Sequence, residues 1–372
     1  VILCDKQEGC YCVNQNIPDE YCNYVNDTNG LISLLQETGS PQSFELLSEE
    51  PDSVKINISD KERILNSGVV LSVPMFLQEK LIGTINVGQK LSGKIYSQDD
   101  IDLLSTVASQ AAVAIENARL HISEIEKQKM AEELSIARRI QIGLFPKNNP
   151  TVDGLEISGI SIPSLSVGGD YYDFIQYDSK RVLVVIADVA GKGMPAALYM
   201  SKVQGMVQLA AHMYNSPKEM LINVNRRIYD GIERNSFVTM ILASFDMEKK
   251  EVRICRAGHN KALVKINGEF KYIDASGIGV GLEKGPIFEN SLEEIRLPIH
   301  TNSLFVFYTD GLTEAMNEKR DEFGEEAVRN IVKDNHSLTG ESLQSLLLKK
   351  AEKFRGTAEQ HDDITLTIIK SK

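Results

Sequence analysis

The feature that most constrains this chain is an apolar run that ends in acid. In "VLVVIADVAGKG", residues 182–193, six apolar residues lead to Asp188, and Gly191 and Gly193 follow. Such a run fits a buried strand. The glycines permit a sharp turn, and Pro195 stands where the first turn of a helix tolerates proline. A carboxylate ending a buried strand is badly placed for a surface. It is well placed for a metal, because the strand fixes its oxygens and the glycines leave room for water. The arrangement recurs. "LFVFYTDGLTE" (304–314) ends a strand in Asp310-Gly311, and "HDDITLTII" (361–369) puts Asp362 and Asp363 just before one. "VGGDYYDF" (167–174) sets Asp170 and Asp173 beside two glycines. Each alone is an ordinary turn, since Asp-Gly is a turn signal. Together, converging buried carboxylates repel one another unless a counter-charge joins them. Oxygen-only ligands favour Mg²⁺ or Mn²⁺ over zinc, and no His/Cys constellation competes for the metal.

Composition narrows the class. A chain of 372 residues predicts two domains or three, and 42% hydrophobic with 25% charged residues is ordinary for soluble globular protein. No apolar run approaches the ~18 residues of a membrane helix. No signal-peptide pattern opens the chain, although the start "VILCD" looks cut from something longer. A cytoplasmic location is expected. The net charge of −12 is uneven. Residues 1–118 hold 7 basic and 17 acidic groups, residues 119–148 hold 6 and 4, and residues 149–372 hold 27 and 31. No basic stripe of the kind nucleic-acid binding requires is present. Cys4, Cys10, Cys12, Cys22 and Cys255 lack the spacing of a zinc site and read as reduced structural thiols.

The pattern divides the chain into three segments, 1–118, 119–148 and 149–372. In the first, strand-like runs over 69–76 and 81–87 flank a short polar turn, and a helix starts near residue 99. Its apolar positions Leu104, Ala108, Ala111, Ile115 and Ala118 alternate spacings of four and three. This ending, "VPM…IGTINV…QAAVAIENARL", resembles the C-terminal half of the GAF domain, a signal-sensing module. The resemblance is good over about residues 65–120, and its ligand is not named by any signature. The helical seam continues through Ile122 and Ile125, so two chains could zip as a parallel coiled coil. Lys129 and Glu132 then occupy the seam, and the apolar series resumes out of phase as Met130, Leu134, Ala137 and Leu144, with polar Gln141 between them. A slip of this kind locally unwinds a coiled coil. It reads either as a helix leaving its partner to dock on the next domain or as a bistable joint that passes a signal on.

Residues 149–372 alternate strands (155–162, 172–177, 182–188, 238–246, 251–257, 262–266, 304–308 and 364–369) with helices (195–213, 218–234, 325–334 and 340–354). Short consecutive strands with tight connections predict antiparallel sheets, with helices covering the outer faces. The ordered motifs "GGDYYDF", "ADVAGKGMPAAL", "FVTMILASFD", "RAGHNKALV", "YTDGLTEA" and "HDDITLTII" are similar to the SpoIIE-type branch of the metal-dependent protein phosphatases, related to protein phosphatase 2C. A GGDEF-type cyclase shares only Gly168-Gly169-Asp170. It has Glu-Phe where this chain has Tyr171-Tyr172, and the later acidic motifs have no place in it.

The resemblance implies an α+β protein: a GAF-like sensor, a helical coiled-coil linker, and an αββα sandwich with two Mn²⁺ or Mg²⁺ ions at one end. Matched residue by residue, Asp188 would bridge the ions. The Val189 carbonyl would take a position that glycine holds in some relatives. Asp310 and Asp362 would ligate one ion, and Asp170 would act directly or through water. Asp173 and Asp363 are lesser candidates for the metal site: Asp173 would instead anchor the glycine turn, and Asp363, which is Asn in some relatives, would hold the loop. Lys192 stands where many members have histidine and reads as facing solvent rather than phosphate. His259 either donates a proton to the leaving oxygen or braces a turn with Asn260. The implied activity is phosphoserine/phosphothreonine hydrolysis in an anti-anti-sigma factor (a STAS-domain protein), by a homodimer answering an unknown signal at the sensor. The competing reading is a catalytically degenerate docking protein, and the intact acids at 170, 188, 310 and 362 speak against it.

Overall fold

In a computed structural model of the chain, residues 2–5, 9–12, 30–45, 62, 64, 66–233 and 235–372 are described. Two compact units emerge, Val1–Met130 and Ala131–Lys372. Cys22 lies outside the described residues, as do the side chains of Cys4, Cys10 and Cys12. Cys255 is a buried free thiol.

The first unit holds a five-stranded sheet in the order β2-β1-β5-β4-β3. Its strands are β1 (Ile2–Asp5), β2 (Gly9–Cys12), β3 (Gln42–Ser43), β4 (Leu71–Leu77) and β5 (Lys80–Val87). β4 and β5 form the expected hairpin, with a bulge between Met75 and Phe76. A helix, Gln98–Ile142, follows and runs 45 residues without a break. Its early turns cover the sheet. Ala108 and Ala112 are fully buried against Leu71, Val73, Met75 and Ile82, and Leu104, Ala111 and Ile115 pack beside them. This corrects the expected coiled-coil seam. From Leu104 to Ile115 that face packs on the chain's own core, whereas Ala118, Ile122 and Ile125 further along it are exposed. Small alanines occupy the centre because a helix lying on a sheet leaves no room for longer side chains there.

The second unit is a sandwich of two antiparallel sheets, giving the chain as a whole an α+β fold. One sheet runs β13-β10-β9-β8-β7 and the other β12-β11-β14-β15-β6. In the first, β7 (Tyr171–Gln176), β8 (Arg181–Val189), β9 (Val238–Asp246) and β10 (Glu251–Ala257) are followed at the edge by β13 (Glu294–Pro298). In the second are β6 (Leu155–Ile162), β11 (Ala262–Ile266), β12 (Glu269–Ile273), β14 (Leu304–Tyr308) and β15 (Ile364–Ser371).

β8 shows why its sequence is continuously apolar. Leu183, Val185 and Ala187 face the helices Met194–Met213 and Pro217–Ile228. Val182, Val184 and Ile186 face the other sheet and share a core with Phe245 of β9 and with Phe305 and Phe307 of the opposing β14. Each such side chain stabilises the fold by about 1.5–3 kcal/mol. The helices Gly324–Asn335 and Gly340–Arg355 close the far side over Leu304, Val306, Leu366 and Ile368. The strands β12 and β13 escape sequence reading because they are edges. "EFKYI" and "EIRLP" are short and charged, as edge strands must be to resist further pairing.

The division of the long helix can be tested by substitution. Ala108→Leu overpacks the sheet and is expected to destabilise the first unit by about 1–3 kcal/mol. Ile122→Ala lies on the exposed face and is expected to change stability by less than about 0.5 kcal/mol. Denaturant unfolding of the two variants checks both.

Candidate active site

The strand registers bring the acids together. Tyr171 pairs with Ala187, so Asp170 stands at the end of β7 next to Asp188 near the end of β8. In the other sheet Tyr308 pairs with Leu366. That register puts Asp310, just after β14, and Asp362, just before β15, at one end. Each sheet therefore contributes two acids to the same end of the sandwich. Hydrogen bonds tie the contributions across. The Thr309 hydroxyl donates to Asp170 Oδ2 at 2.8 Å and accepts from the Thr365 N–H at 2.9 Å. The Gly169 N–H donates to Asp363 Oδ2 at 2.8 Å.

These crossings explain two glycines. A Cβ on Gly168 would lie 2.0 Å from Asp363 Oδ2, and one on Gly311 would lie 1.9 Å from the Asp363 carbonyl oxygen. Any other residue would displace Asp363, its side chain from Gly168 and its backbone from Gly311. The close approach, rather than a turn type, is what "GGD" and "DG" encode here.

The electrostatics report a site short of positive charge. Burial pushes the Asp188 carboxyl up to about 7, and the charges of Asp310, Asp362 and Asp363 add to the push. Its hydrogen bond with Asp170 works the other way. Asp170 is raised well above the usual carboxylate range, first by burial and then by Asp188. Asp310 is raised by burial and by Asp362, and Glu314 by burial and by Asp310. Two or more ionised carboxylates in one desolvated place each disfavour the other's charge. Among the described residues, no three histidine, cysteine or acidic side chains form a finished metal-binding group. The chemistry of the set nonetheless fits a hard divalent cation. Its donors are oxygens, and they converge from four segments close enough for their charges to oppose one another.

The other expected residues part from that cluster. Asp363 is engaged in holding loops: Oδ1 accepts from the Ser164 N–H at 2.7 Å and the Ser164 hydroxyl at 3.0 Å, and Oδ2 from Gly169. Asp173 does not anchor the glycine turn. Its carboxylate accepts from the Tyr171 hydroxyl at 2.8 Å, Gln208 Nε2 at 3.0 Å and the Phe174 N–H at 2.8 Å. The alternation of the strand turns Tyr171 and Asp173 to the helix side together. Lys192 does not simply face solvent. Its Nζ lies 3.0 Å from Asp362 Oδ2 at the half-exposed rim.

His259 is 3% exposed, with Nδ1 2.7 Å from the Thr239 hydroxyl. Its carbonyl accepts from Arg256 Nη1 at 2.8 Å. Burial, then the Arg256 charge, pushes the imidazole down to about 3. A neutral, enclosed ring held by Thr239 fits the expected brace for a turn, here against β9. The Val189 carbonyl is turned toward Gly169, where a Cβ would stand 2.8 Å from its oxygen.

Two residues in this end of the sandwich escaped the sequence reading. Thr309 sits inside "YTDG" and looks like a strand residue. Gln141 interrupts an apolar series, and the fold buries it to 7% exposure. A polar residue at an apolar position was the signal available for it.

The raised pKa of Asp188 predicts a pH-dependent stability. A carboxyl higher in the folded than in the unfolded chain favours folding when protonated. That contribution is complete below about 4, the unfolded range, and is lost as pH rises to about 7. In metal-free protein, the stability advantage of Asp188→Asn over wild type is expected to grow between those pH values and level off above them. Thermal melts in EDTA across that range check the sign. Saturating Mn²⁺ is expected to remove the advantage.

Comparison with known proteins agrees with this architecture. The family model "Stage II sporulation protein E (SpoIIE)" matches residues 178–372, and a "GAF domain" model matches residues 14–116. The chain is 27% identical over 252 residues to phosphoserine phosphatase RsbU of Bacillus subtilis, spanning 66% of this chain and 72% of RsbU. Among solved structures, the SiaA-PP2C domain of Pseudomonas aeruginosa superposes with a TM-score of 0.60 at 18% identity, covering 66% of this chain and 99% of that domain. The RsbU and RsbW domains of a Mycobacterium tuberculosis protein superpose with a TM-score of 0.53 at 23% identity, covering 60% of this chain and 61% of that one. With half its length under one family model and a sensor-type domain ahead of it, this chain belongs to the SpoIIE family and carries an N-terminal GAF domain.

Proposed function

We propose that this chain is a divalent-metal-dependent protein serine/threonine phosphatase whose GAF domain receives the regulatory signal. One observation carries the reading: four acids from both sheets meet, partly desolvated, at one end of the sandwich, with Asp188 held up to about 7. Carboxylates so placed cost stability unless cations join them. Asp170, Asp188, the Val189 carbonyl, Asp310 and Asp362 are the groups that would hold two Mn²⁺ or Mg²⁺ ions. Bound there, such ions supply charge to neutralise a phosphoryl group and lower the pKa of a water so that hydroxide is available near neutral pH.

The chain's own residues prepare the place. Thr309 holds Asp170 by its hydroxyl, and Asp363 holds the turn before it. Lys192 keeps a positive charge beside Asp362 at the rim, where a phosphate enters. Cys255, buried and pushed up to about 12 chiefly by desolvation, is no nucleophile.

The substrate we favour is a phosphorylated anti-anti-sigma factor in the cytoplasm. Support comes from the likeness to RsbU, named a phosphoserine phosphatase, and from a solved relative that joins RsbU and RsbW domains in one protein. No helix among the described residues is long and apolar enough to cross a membrane. A dimer, if the second helix lies along this one, rests on Ile122, Ile125 and their neighbours, since the earlier seam is occupied.

With p-nitrophenyl phosphate and Mn²⁺, the protein is expected to release phosphate and to stop in EDTA. Asp188→Asn and Asp310→Asn are each expected to lower the rate by about 100-fold or more. Hydrolysis with no divalent ion tested, beside intact binding of phosphoprotein, would favour the docking protein instead. Light scattering is expected to give twice the chain mass of 41.3 kDa. A monomer at micromolar concentration refutes the dimer.

A further inference from the structure

We infer that Gln141 is a positioning residue for Asp170, acting through the peptide of Gly168. The Gln141 amide makes a matched pair of hydrogen bonds to that residue. Its Nε2 donates to the Gly168 carbonyl at 2.7 Å, and its Oε1 accepts from the Gly168 N–H at 3.1 Å. The side chain thus takes the part of a neighbouring β-strand, satisfying both backbone groups of a residue that belongs to no strand.

Three holds fix the turn that ends in Asp170. Asp363 takes the Gly169 N–H, Thr309 takes the Asp170 carboxylate, and Gln141 takes Gly168. Packing does little on the third side. There the turn borders a cavity of about 460 Å³ lined by Gln141, Phe145, Gly168, Asp170, Tyr172 and Asp363. Gly168 has no side chain to anchor it and no room for one. With open space on that side, the two hydrogen bonds from Gln141 decide where the Gly168 peptide sits. Asp170 is two residues on, so a swing of that peptide moves its carboxylate.

Gln141 also differs in kind from the rest of its helix end. Leu144 and Phe145 pack against the apolar layers, and Gln204 Nε2 bonds the Leu144 carbonyl at 3.3 Å. Those contacts dock the helix. Only the Gln141 pair reaches the turn that carries an acid of the site. A buried amide costs stability unless all its bonds are made, and Leu or Met would serve docking better. The choice of glutamine answers a need of Gly168.

The consequence rests on the phosphatase reading for its activity arm and is independent of it in its structural arm. Partners that orient a metal's ligands typically change metal affinity by about 10–100-fold when lost. Gln141→Met keeps the volume and removes both bonds. Gln204→Leu removes the neighbouring docking bond and is the control. In Gln141→Met, amide exchange at Gly168 and Gly169 is expected to accelerate in metal-free protein. The Mn²⁺ concentration for half-maximal p-nitrophenyl phosphate hydrolysis is expected to rise about 10–100-fold, with kcat regained at saturating Mn²⁺. Calorimetric Mn²⁺ affinity is expected to fall in step. Gln204→Leu is expected to leave the Mn²⁺ dependence unchanged. Should Gln141→Met not fold, Gln141→Ala, which also removes both bonds and adds no charge, takes its place with the same readings.

Unchanged Mn²⁺ affinity with faster exchange at Gly168 overturns the positioning role, and unchanged exchange overturns the hold itself. If wild type binds Mn²⁺ without hydrolysing phosphate, the phosphatase reading fails while calorimetry and exchange still decide on Gln141.

Discussion

Mutual repulsion among buried carboxylates is the constraint around which this end of the molecule is organised. Asp170, Asp188, Asp310 and Asp362 belong to segments far apart in the chain, and each pair would separate if left free. They are held because each follows or precedes a strand whose position the hydrophobic layers have already fixed. A strand such as β8, apolar on both faces, cannot shift by a residue without turning its core side chains out of register. The stability of the sandwich is thereby converted into the placement of charge. Part of it is spent there: burial and like charge together raise three of the carboxyls.

The acids divide by what their oxygens already hold. Asp363 and Asp173 have their lone pairs occupied by N–H and hydroxyl donors, which makes them parts of the frame. Asp310 draws on the backbone N–H groups of its own turn, Asp188 has no such set among the described residues, and both face other acids. Asp170 stands between these groups, with one bond from Thr309 and its other oxygen toward Asp188. Asp362 is shared between the two groups: its Oδ1 accepts from the Asp363 N–H at 2.9 Å, and its Oδ2 lies 3.0 Å from Lys192 Nζ. His259, closed in and paired with Thr239 through Nδ1, braces β9.

The long helix shows how one amphipathic pattern can serve different surfaces. Its first half lays alanines on the sheet of the first unit. Its last turn, in the second unit, presents Gln141 to a turn and Leu144 to a core. The offset between the two apolar series near Lys129 falls at the boundary between the two units.

The chain's sequence by itself determined the elements with strong periodicity. β6, β9, β10, β11 and β14 have the bounds read from the residues, because alternating or continuous apolar runs bounded by turn residues leave few alternatives. It also determined that four acids lie at strand ends, since a carboxylate after an apolar run must emerge there. Only the tertiary structure decided which acids face one another and which are bonded away, because hydrogen-bond partners such as Ser164 and Gln208 are distant in the chain. The same holds for the Leu104–Ile115 face: periodicity shows that it must be covered, and only packing shows that the chain's own sheet covers it. Gln141 is the clearest case. Its polarity marked an irregularity in a helix, and its purpose depended on a glycine 27 residues away that folding brings beneath it.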